Sequence, residues 1–327
     1  MKAVYQSTFG GNEVIQIGQC QRPKLKASEV LIENRAASIN PRDWLIRDGK
    51  YQLPWSVPRL PFILGSDFAG VVVAKGEHVR RFQVGDRVYG MKDPSHGLGA
   101  FAEFVAVKEQ YIAKMPDTIT FEQGAATPLC ALTAWQSLSE LARVRPNEKV
   151  LVIGGSGGLG SFAIQIAVAF GAHVTAVCSK KNEAICQSLG AKQTIAYDEG
   201  ALEECSQTFD VVLNTVAIYS VSTLKRFLAR KGRFVNAIPE AKTFLYSAVS
   251  YLGAKLGISK RRYFCVIVSA SSRRLNHITT LIEQAKLVPK IDRVYPLTQI
   301  REALSRSRSF RAVGKIVLTI DPATEQI

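Results

Sequence analysis

Nowhere in the 327 residues do the roughly 18 apolar residues of a spanning helix run together, so no transmembrane helix is expected. The first residues, MKAVYQSTFGG, open directly on a strand-like run. They lack the basic, apolar, small-residue order of a signal peptide, and a cytoplasmic location is the expectation unless a transit peptide preceded this numbering. Cysteine is sparse and dispersed: Cys20, Cys130, Cys178, Cys186, Cys205 and Cys265 form no C-x-x-C pair. With only four histidines, none spaced for joint ligation, a structural zinc site is not expected. The cysteines read as reduced, partly buried thiols. Acidic residues are also few, 27 against 42 lysines and arginines, which leaves a formal net charge of +15. That surplus invites an anionic partner: nucleic acid, a membrane surface or a phosphorylated cofactor. For any one basic cluster the plainer reading is a solvated surface. No helix-turn-helix and no aromatic ribonucleoprotein motif accompanies the charge, so nucleic acid is not an expected partner.

What is present is enough apolar material, 47%, for a sizeable core, and a length that suggests about two domains. Residues 1 to about 118 read as short strands (EVLIENRAAS, FAGVVVAKG, DRVYGM, AFAEFVAV) punctuated by glycines, a β-rich and barrel-like pattern. The pattern changes near Phe121. FEQGAATPLCALTAWQSLSELARV has helical spacing, with Pro128 suited to a first turn. Apolar strands then alternate with helices, the pattern of a parallel doubly wound α/β sheet. The last sixty or so residues read as one helix and two strands.

KVLVIGGSGGLGSFAIQIA contains Gly155-x-Gly157-x-x-Gly160 between a buried strand and an apolar helix. That context turns a weak motif into a dinucleotide fingerprint. Gly155 is expected to make the tight turn, Gly157 to let backbone approach a pyrophosphate, and Gly160 to let helix and strand close up. Ser156, Gly158 and Leu159 complete the cradle at the helix N-terminus. At the end of the next strand an NAD site has an acid about 20 residues on. Here Cys178 is followed by Ser179, Lys180 and Lys181, a hydroxyl and two cations. The expectation is NADPH in preference to NADH.

Thirteen residues, INPRDWLIRDGKY (39–51), crowd Asn40, Asp43, Trp44, Arg47 and Tyr51 into what reads as a loop. Together with PFILGSDFAGVV, FQVGDRVYG, GAFAEFVAV, AATPLCALTAWQSL, the glycine turn, LGAKQTIAY, FDVVLNTV and AVGKIVL, this stretch resembles the medium-chain dehydrogenase/reductase family. It is most similar to its zinc-free, quinone oxidoreductase-like (zeta-crystallin-like) branch, over nearly the whole chain. The resemblance implies a GroES-like catalytic domain (residues 1–120 and 269–327) and a Rossmann domain (121–268), with a homodimer as the expected assembly. Zinc-dependent members carry Cys-x-x-Asp where this chain has Asn40-x-x-Asp43, and Gly-His-Glu where it has Gly65-Ser66-Asp67. The replacements bind zinc poorly.

The implied reaction is zinc-independent, NADPH-dependent reduction of quinones or α,β-unsaturated carbonyls, with a small hydrophobic enone or quinone as substrate. The implied alternatives are enoyl-thioester reduction, and a non-catalytic protein that holds NADPH and binds RNA or membrane. Asn40 stands at a metal-ligand position and is a catalytic candidate. Tyr51 matches the spacing of a tyrosine that donates to the substrate oxygen in enoyl thioester reductases of the superfamily; the alternative is a loop aromatic packed on Trp44 or Trp55. Asp43 is expected to orient the loop or Arg47. By the same resemblance Thr133 lies by the nicotinamide, Tyr197 joins Ser179 and Lys180 at the 2′-phosphate, and Val216, Ala217 and Ala237 line the nicotinamide face. Tyr197 also reads as a buried strand residue, and Arg311 as either a phosphate contact or a surface ion pair. Finally, residues 241–264 mix aliphatic, aromatic and basic side chains without an acid. This stretch reads as an internal helix with a solvated basic turn, or as a contact to an anionic membrane surface.

Overall fold

In the computed structural model, which describes residues 1–51, 57–92 and 99–321, the apolar runs read as strands form strands. The first part of the chain contains β1 (Lys2–Gln6), β2 (Gln16–Gln19), β3 (Glu29–Ile39), α1 (Pro41–Arg47), β4 (Phe62–Ile63) and β5 (Asp67–Lys75). It continues with β6 (Arg87–Met91), β7 (Phe104–Lys108), β8 (Ile112–Lys114), α2 (Phe121–Ala126) and α3 (Pro128–Trp135). The central part contains β9 (Lys149–Ile153), α4 (Gly158–Ala169), β10 (His173–Cys178), α5 (Glu183–Ser188), β11 (Gln193–Ala196) and α6 (Ala201–Glu204). After these come β12 (Phe209–Asn214), α7 (Val221–Leu224), β13 (Leu228–Asn236), α8 (Ala241–Lys255) and β14 (Arg262–Cys265). The chain finishes with α9 (Ser272–Glu283), β15 (Ile291–Pro296), α10 (Ile300–Arg308) and β16 (Lys315–Thr319).

These elements divide into two units. The first comprises residues 1–132, 270–284 and 289–327; the second comprises 133–269 and 285–288. In the first unit a small antiparallel sheet runs β2-β1-β4, and a larger sheet, antiparallel except for the parallel β15–β16 pair, runs β15-β16-β3-β5-β6-β8 with β7 also paired to β3. Its main core holds Trp44, Ile46, Phe62 and Phe101 with Ile300 and Leu304 of α10. α10 escapes the sequence reading because IREALSRSR offers few apolar residues. Ile300, Ala303, Leu304 and Ser307 nevertheless fall on one buried face. The first unit also takes in residues 121–132, which the sequence reading placed with the second. Gly124 explains the packing: a Cβ there would lie 3.1 Å from Ala69 Cβ of β5, so glycine lets α2 lie close on the sheet. Residues 285–288 join the second unit because Gln165 of α4 holds both the N–H and the carbonyl of Val288.

The second unit is a parallel sheet of order β11-β10-β9-β12-β13-β14. β9 is buried from Val150 to Ile153, as a strand covered on both faces must be. The chain leaves β9 toward β10 and β11, then returns to build β12, β13 and β14 on the other side. That reversal is the switch point at which doubly wound sheets bind ligands, at the strands' C-terminal ends.

Candidate functional site

The glycine turn sits at the C-terminal end of β9. Gly154 and Gly155 both donate to the carbonyl of Val177 in β10, at 3.0 and 2.9 Å, and Gly157 N–H closes the turn on Gly154 O at 3.1 Å. The left-handed residue is Gly154 (φ 80°), so the tight turn belongs to it and not to Gly155, as the motif alone had indicated. Gly155 is needed for space: a Cβ there would meet Ala176 Cβ at 2.8 Å. Gly160 has the role expected of it, since a Cβ would fall 2.1 Å from the Gly154 carbonyl oxygen. Gly157, the N-cap of α4, has only ordinary contacts around its missing side chain. The first intrahelical bond is Ser161 N–H to Gly157 O, so the N–H groups of Gly158, Leu159 and Gly160 lie ahead of the ladder. Together with the helix dipole they make a cradle for a pyrophosphate. Ser156 Oγ accepts from Asn182 Nδ2 at 3.1 Å, which ties the turn to the start of α5.

The corner after β10 differs from the linear reading. Ser179 is buried and follows Cys178 directly, while Lys180 and Lys181 are exposed. Sequence alone showed no acid at this strand end. The fold brings acids from the end of β11: Asp198 accepts the Lys180 N–H at 2.8 Å. The Lys180 ammonium lies 3.2 Å from Glu183 and 3.3 Å from Glu199, and these carboxylates hold its pKa above the usual value. Tyr197 is not a buried strand residue. It begins a short turn after β11 and is about half exposed at the same corner.

Val216 and Ala217 follow β12. A Cβ on Gly154 would meet Val216 Cγ1 at 2.6 Å, so Val216 flanks the glycine turn. Ala237 N–H donates to Asn214 O at 2.9 Å, which sets the ends of β13 and β12 side by side. Asn214 Nδ2 in turn donates to Asn236 Oδ1 at 3.1 Å. The strand ends thus gather the glycine turn, Ser179, Val216, Ala217 and Ala237 along one edge of the sheet. Thr133 opens the second unit as a buried residue of α3.

In the first unit, INPRDWLIRDGKY is not a loop: it contains α1. Pro41 is pre-set for the first helical position, and the Asn40 N–H donates to Asp43 Oδ2 at 2.7 Å. Asn40 is completely buried. Its Oδ1 accepts from Lys315 Nζ at 2.5 Å, and its Nδ2 donates to Asp67 Oδ2 at 2.9 Å. Lys315 also donates to Ile39 O at 3.1 Å and lies 3.6 Å from Asp67. Asp67 further accepts from Ser38 Oγ and the Leu129 N–H, each at 2.9 Å. Ser66 Oγ donates to Asp43, and the Cys130 thiol donates weakly to Asn40 Oδ1 at 3.9 Å. Burial pushes Asp43 up to about 7 and raises Asp67 as well, against the opposing pull of Lys315. Burial likewise raises the Cys130 thiol, keeping it protonated.

Sequence reasoning assigned no role to Lys315 or Cys130. The available signal was a lysine at the head of the apolar run KIVLT, where a strand entering a core has no ordinary use for a charge. Asp43 does not orient Arg47. Arg47 is buried and pairs with Asp48 at 2.6 Å, also donating to Gly10 O. Trp44 serves as scaffold, with its Nε1 donating to Ser307 Oγ and its ring edge-on to Phe310. Tyr51 is partly buried against the same core, with the Arg42 guanidinium 6.0 Å from its ring centre. Trp55 lies outside the described residues. Arg311 is exposed, and its carbonyl accepts from Arg306.

A GroES-like β unit together with a doubly wound parallel sheet whose glycine turn is shaped for a pyrophosphate defines a dinucleotide-dependent oxidoreductase. Comparison with known proteins agrees. Residues 26–117 match the alcohol dehydrogenase GroES-like domain, 136–224 the alanine dehydrogenase/PNT C-terminal domain, and 189–318 the zinc-binding dehydrogenase domain. The chain is 30% identical to a chloroplastic quinone-oxidoreductase homolog of Spinacia oleracea, covering 97% of this chain and 98% of that one. Its fold matches the quinone oxidoreductase of Coxiella burnetii with a TM-score of 0.87 at 28% identity, over 98% and 99% of the two chains. It matches the Escherichia coli quinone oxidoreductase, solved with NADPH, with a TM-score of 0.81 at 25% identity, over 98% and 100%. The chain belongs to the medium-chain dehydrogenase/reductase family of oxidoreductases, in its quinone oxidoreductase-like branch.

Proposed function

We propose that this protein is a zinc-independent, NADPH-dependent reductase of quinones or α,β-unsaturated carbonyls. The observation that carries the reading is the buried ammonium of Lys315, within hydrogen-bond reach of Asn40 and beside Asp67. At the positions where zinc relatives carry a thiolate, an imidazole and a carboxylate, this chain offers the amide oxygen of Asn40, the hydroxyl of Ser66 and the carboxylate of Asp67, the last already turned toward an internal cation. A dication seated there would be repelled by that ammonium, and its donors are poor zinc ligands. An alcohol oxidation that relies on a Lewis acid therefore has little support, whereas a conjugated acceptor is already polarised.

The cradle of Gly157, Gly158, Leu159 and Gly160 fits the pyrophosphate of a dinucleotide. Ser179, Lys181 and Tyr197 are the groups a 2′-phosphate would meet, the charge of Lys180 being largely offset by Glu183 and Glu199. NADPH bound there would supply the hydride. Tyr51 donates a hydrogen bond to the substrate oxygen as negative charge gathers on it; a phenol with a reference pKa of about 10 stays protonated at neutral pH. Asn40, being wholly buried, acts by position: it anchors the start of α1, which leads the chain to Tyr51.

The test is cofactor oxidation screened against quinones, short and long enones and enoyl thioesters, with NADPH and NADH, in wild type, Tyr51→Phe and Asn40→Ala. Tyr51→Phe is expected to lower kcat on enones by about 100-fold, the scale of one lost oxyanion donor. A clear preference for NADH, loss of activity on zinc chelation, or unchanged turnover in both variants would each overturn the reading.

A further inference from the structure

α8 turns its aliphatic side chains away from the sheet. The side it turns to the sheet carries one aromatic, Tyr246, packed on Tyr263 with ring centres 5.5 Å apart, and is otherwise polar or small: Thr243 accepts from Asn236 Nδ2 at 2.9 Å, Ser250 Oγ accepts from the Tyr263 N–H at 3.1 Å, and Ser247 Oγ donates back to Thr243 O. The side it turns outward is aliphatic. Leu245, Val249, Leu252 and Leu256 follow one another at spacings of four, three and four, which makes one continuous stripe on a helix. Each is more than half exposed, and Ile258 just beyond is 77% exposed. A stripe of this kind facing water marks an interaction surface.

Its surroundings select the occupant. Residues 241–264 contain five cations and no acid. Lys255 and Arg262 flank the exposed ring of Tyr251, 5.1 and 5.5 Å from its centre. An open groove of about 440 Å³ at the C-terminal end of the helix is lined by Arg230, Lys260 and Arg261 with Gly257, Ile258 and Ser259. A second copy docking here would bring this cationic face against itself, on chains that each carry +15. Nucleic acid would satisfy the charge but leave the aliphatic stripe in water, because leucine and valine offer no stacking surface. An anionic bilayer satisfies both at once: the stripe enters the headgroup–acyl boundary, the tyrosine sits at that boundary, and the cations meet lipid phosphates. No helix among the described residues is long and apolar enough to cross a membrane, so the contact lies in the membrane plane.

We propose that the outward face of α8 and the basic residues at its C-terminal end form a docking surface for an anionic lipid bilayer. The surface uses none of the groups assigned to the reductase reading. The experiment is co-sedimentation of the full chain with phosphatidylcholine vesicles, with and without phosphatidylglycerol, at low and high salt. Two variants accompany it, Leu245→Ser/Leu252→Ser and Lys255→Ser/Lys260→Ser. NADPH oxidation without vesicles is measured on the same preparations, so that loss of the reductase reading and loss of this one are separately visible.

Binding is expected only with anionic lipid and is weakened by salt. Each lysine removed lowers partitioning about fivefold, and the leucine variant lowers it more than tenfold. Absence of binding, equal binding to neutral vesicles, or indifference to both variants would overturn the proposal. So would a dimer in sedimentation velocity that the leucine variant dissociates, which assigns the face to a second copy. Binding of an RNA oligonucleotide that depends on the lysines but not the leucines, without vesicle binding, would overturn it equally.

Discussion

Replacing Lys315 by methionine keeps most of the side-chain volume and removes the charge that the first unit's buried polar cluster is organised around. In the wild type this ammonium is almost wholly buried, 2.5 Å from Asn40 Oδ1 and 3.6 Å from Asp67 Oδ2. Without it, Asp67 keeps its donors from Ser38, Asn40 and Leu129 but loses Lys315 as its ion-pair partner. Breaking a buried pair from one side costs about 3–5 kcal/mol. That is a large share of a domain stability of roughly 5–15 kcal/mol. For a unit of this size it corresponds to a fall in Tm of roughly 6–20 °C, read from tryptophan fluorescence, to which Trp44 of the adjoining core contributes. The sign with pH follows from burial. Asp67 already has a raised pKa, and loss of the cation raises it further. A carboxyl with a raised folded pKa contributes its stability below the unfolded pKa and loses it as pH rises, so the deficit of the variant widens from acid toward neutral pH. Adding Asp67→Asn removes the stranded charge and is expected to recover more than half of the loss. A single variant within about 0.5 kcal/mol of wild type, or a double variant no better than the single, would falsify the claim that Lys315 compensates Asp67.

Two further changes test neighbouring parts of the argument. Gly160→Ala would drive a Cβ to 2.1 Å from a backbone oxygen that cannot yield, so both Tm and NADPH affinity by fluorescence titration are expected to fall, the latter more than tenfold; Gly157→Ala, with 3.4 Å available, is expected to spare stability and weaken only NADPH binding. For Asp43 the folded pKa of about 7 lies some three pH units above its ordinary value, so the wild type loses roughly 4 kcal/mol between pH 4 and 7 through this group. Asp43→Asn does not titrate, and its stability relative to wild type, from urea midpoints, should climb across that window and flatten above it. Parallel curves would show that the buried carboxyl does not titrate as the burial argues.

Sequence alone was enough for the parts whose physics is local or periodic. The β9 run, the glycines and the apolar helix that follows specify a dinucleotide turn, because a left-handed residue and a close helix–strand approach each demand glycine. Even so, which glycine carries the left-handed turn was settled only by the backbone conformation, with φ of 80° at Gly154. Alternating apolar runs likewise announced the two architectures. Residues 121–132 read as part of the nucleotide-binding half because their helical period matches it; their packing on β3 and β5 is a tertiary fact. The same holds for α10, whose few apolar residues matter only once a core is there to receive them.

The polar site was the least legible. Asn40, Asp67 and Lys315 are far apart in the chain, and nothing in any one segment says that an ammonium from the last strand will lie between the other two. Likewise, the corner after β10 looked purely basic until the fold carried Asp198 and Glu199 to it from β11. Sequence by itself determined the class of the fold, the cofactor cradle and the surplus of positive charge, since each follows from residues close together in the chain. Only the tertiary structure decided which charges are buried together and which apolar side chains of α8 are left facing water, because burial is a property of neighbours that the linear order does not name.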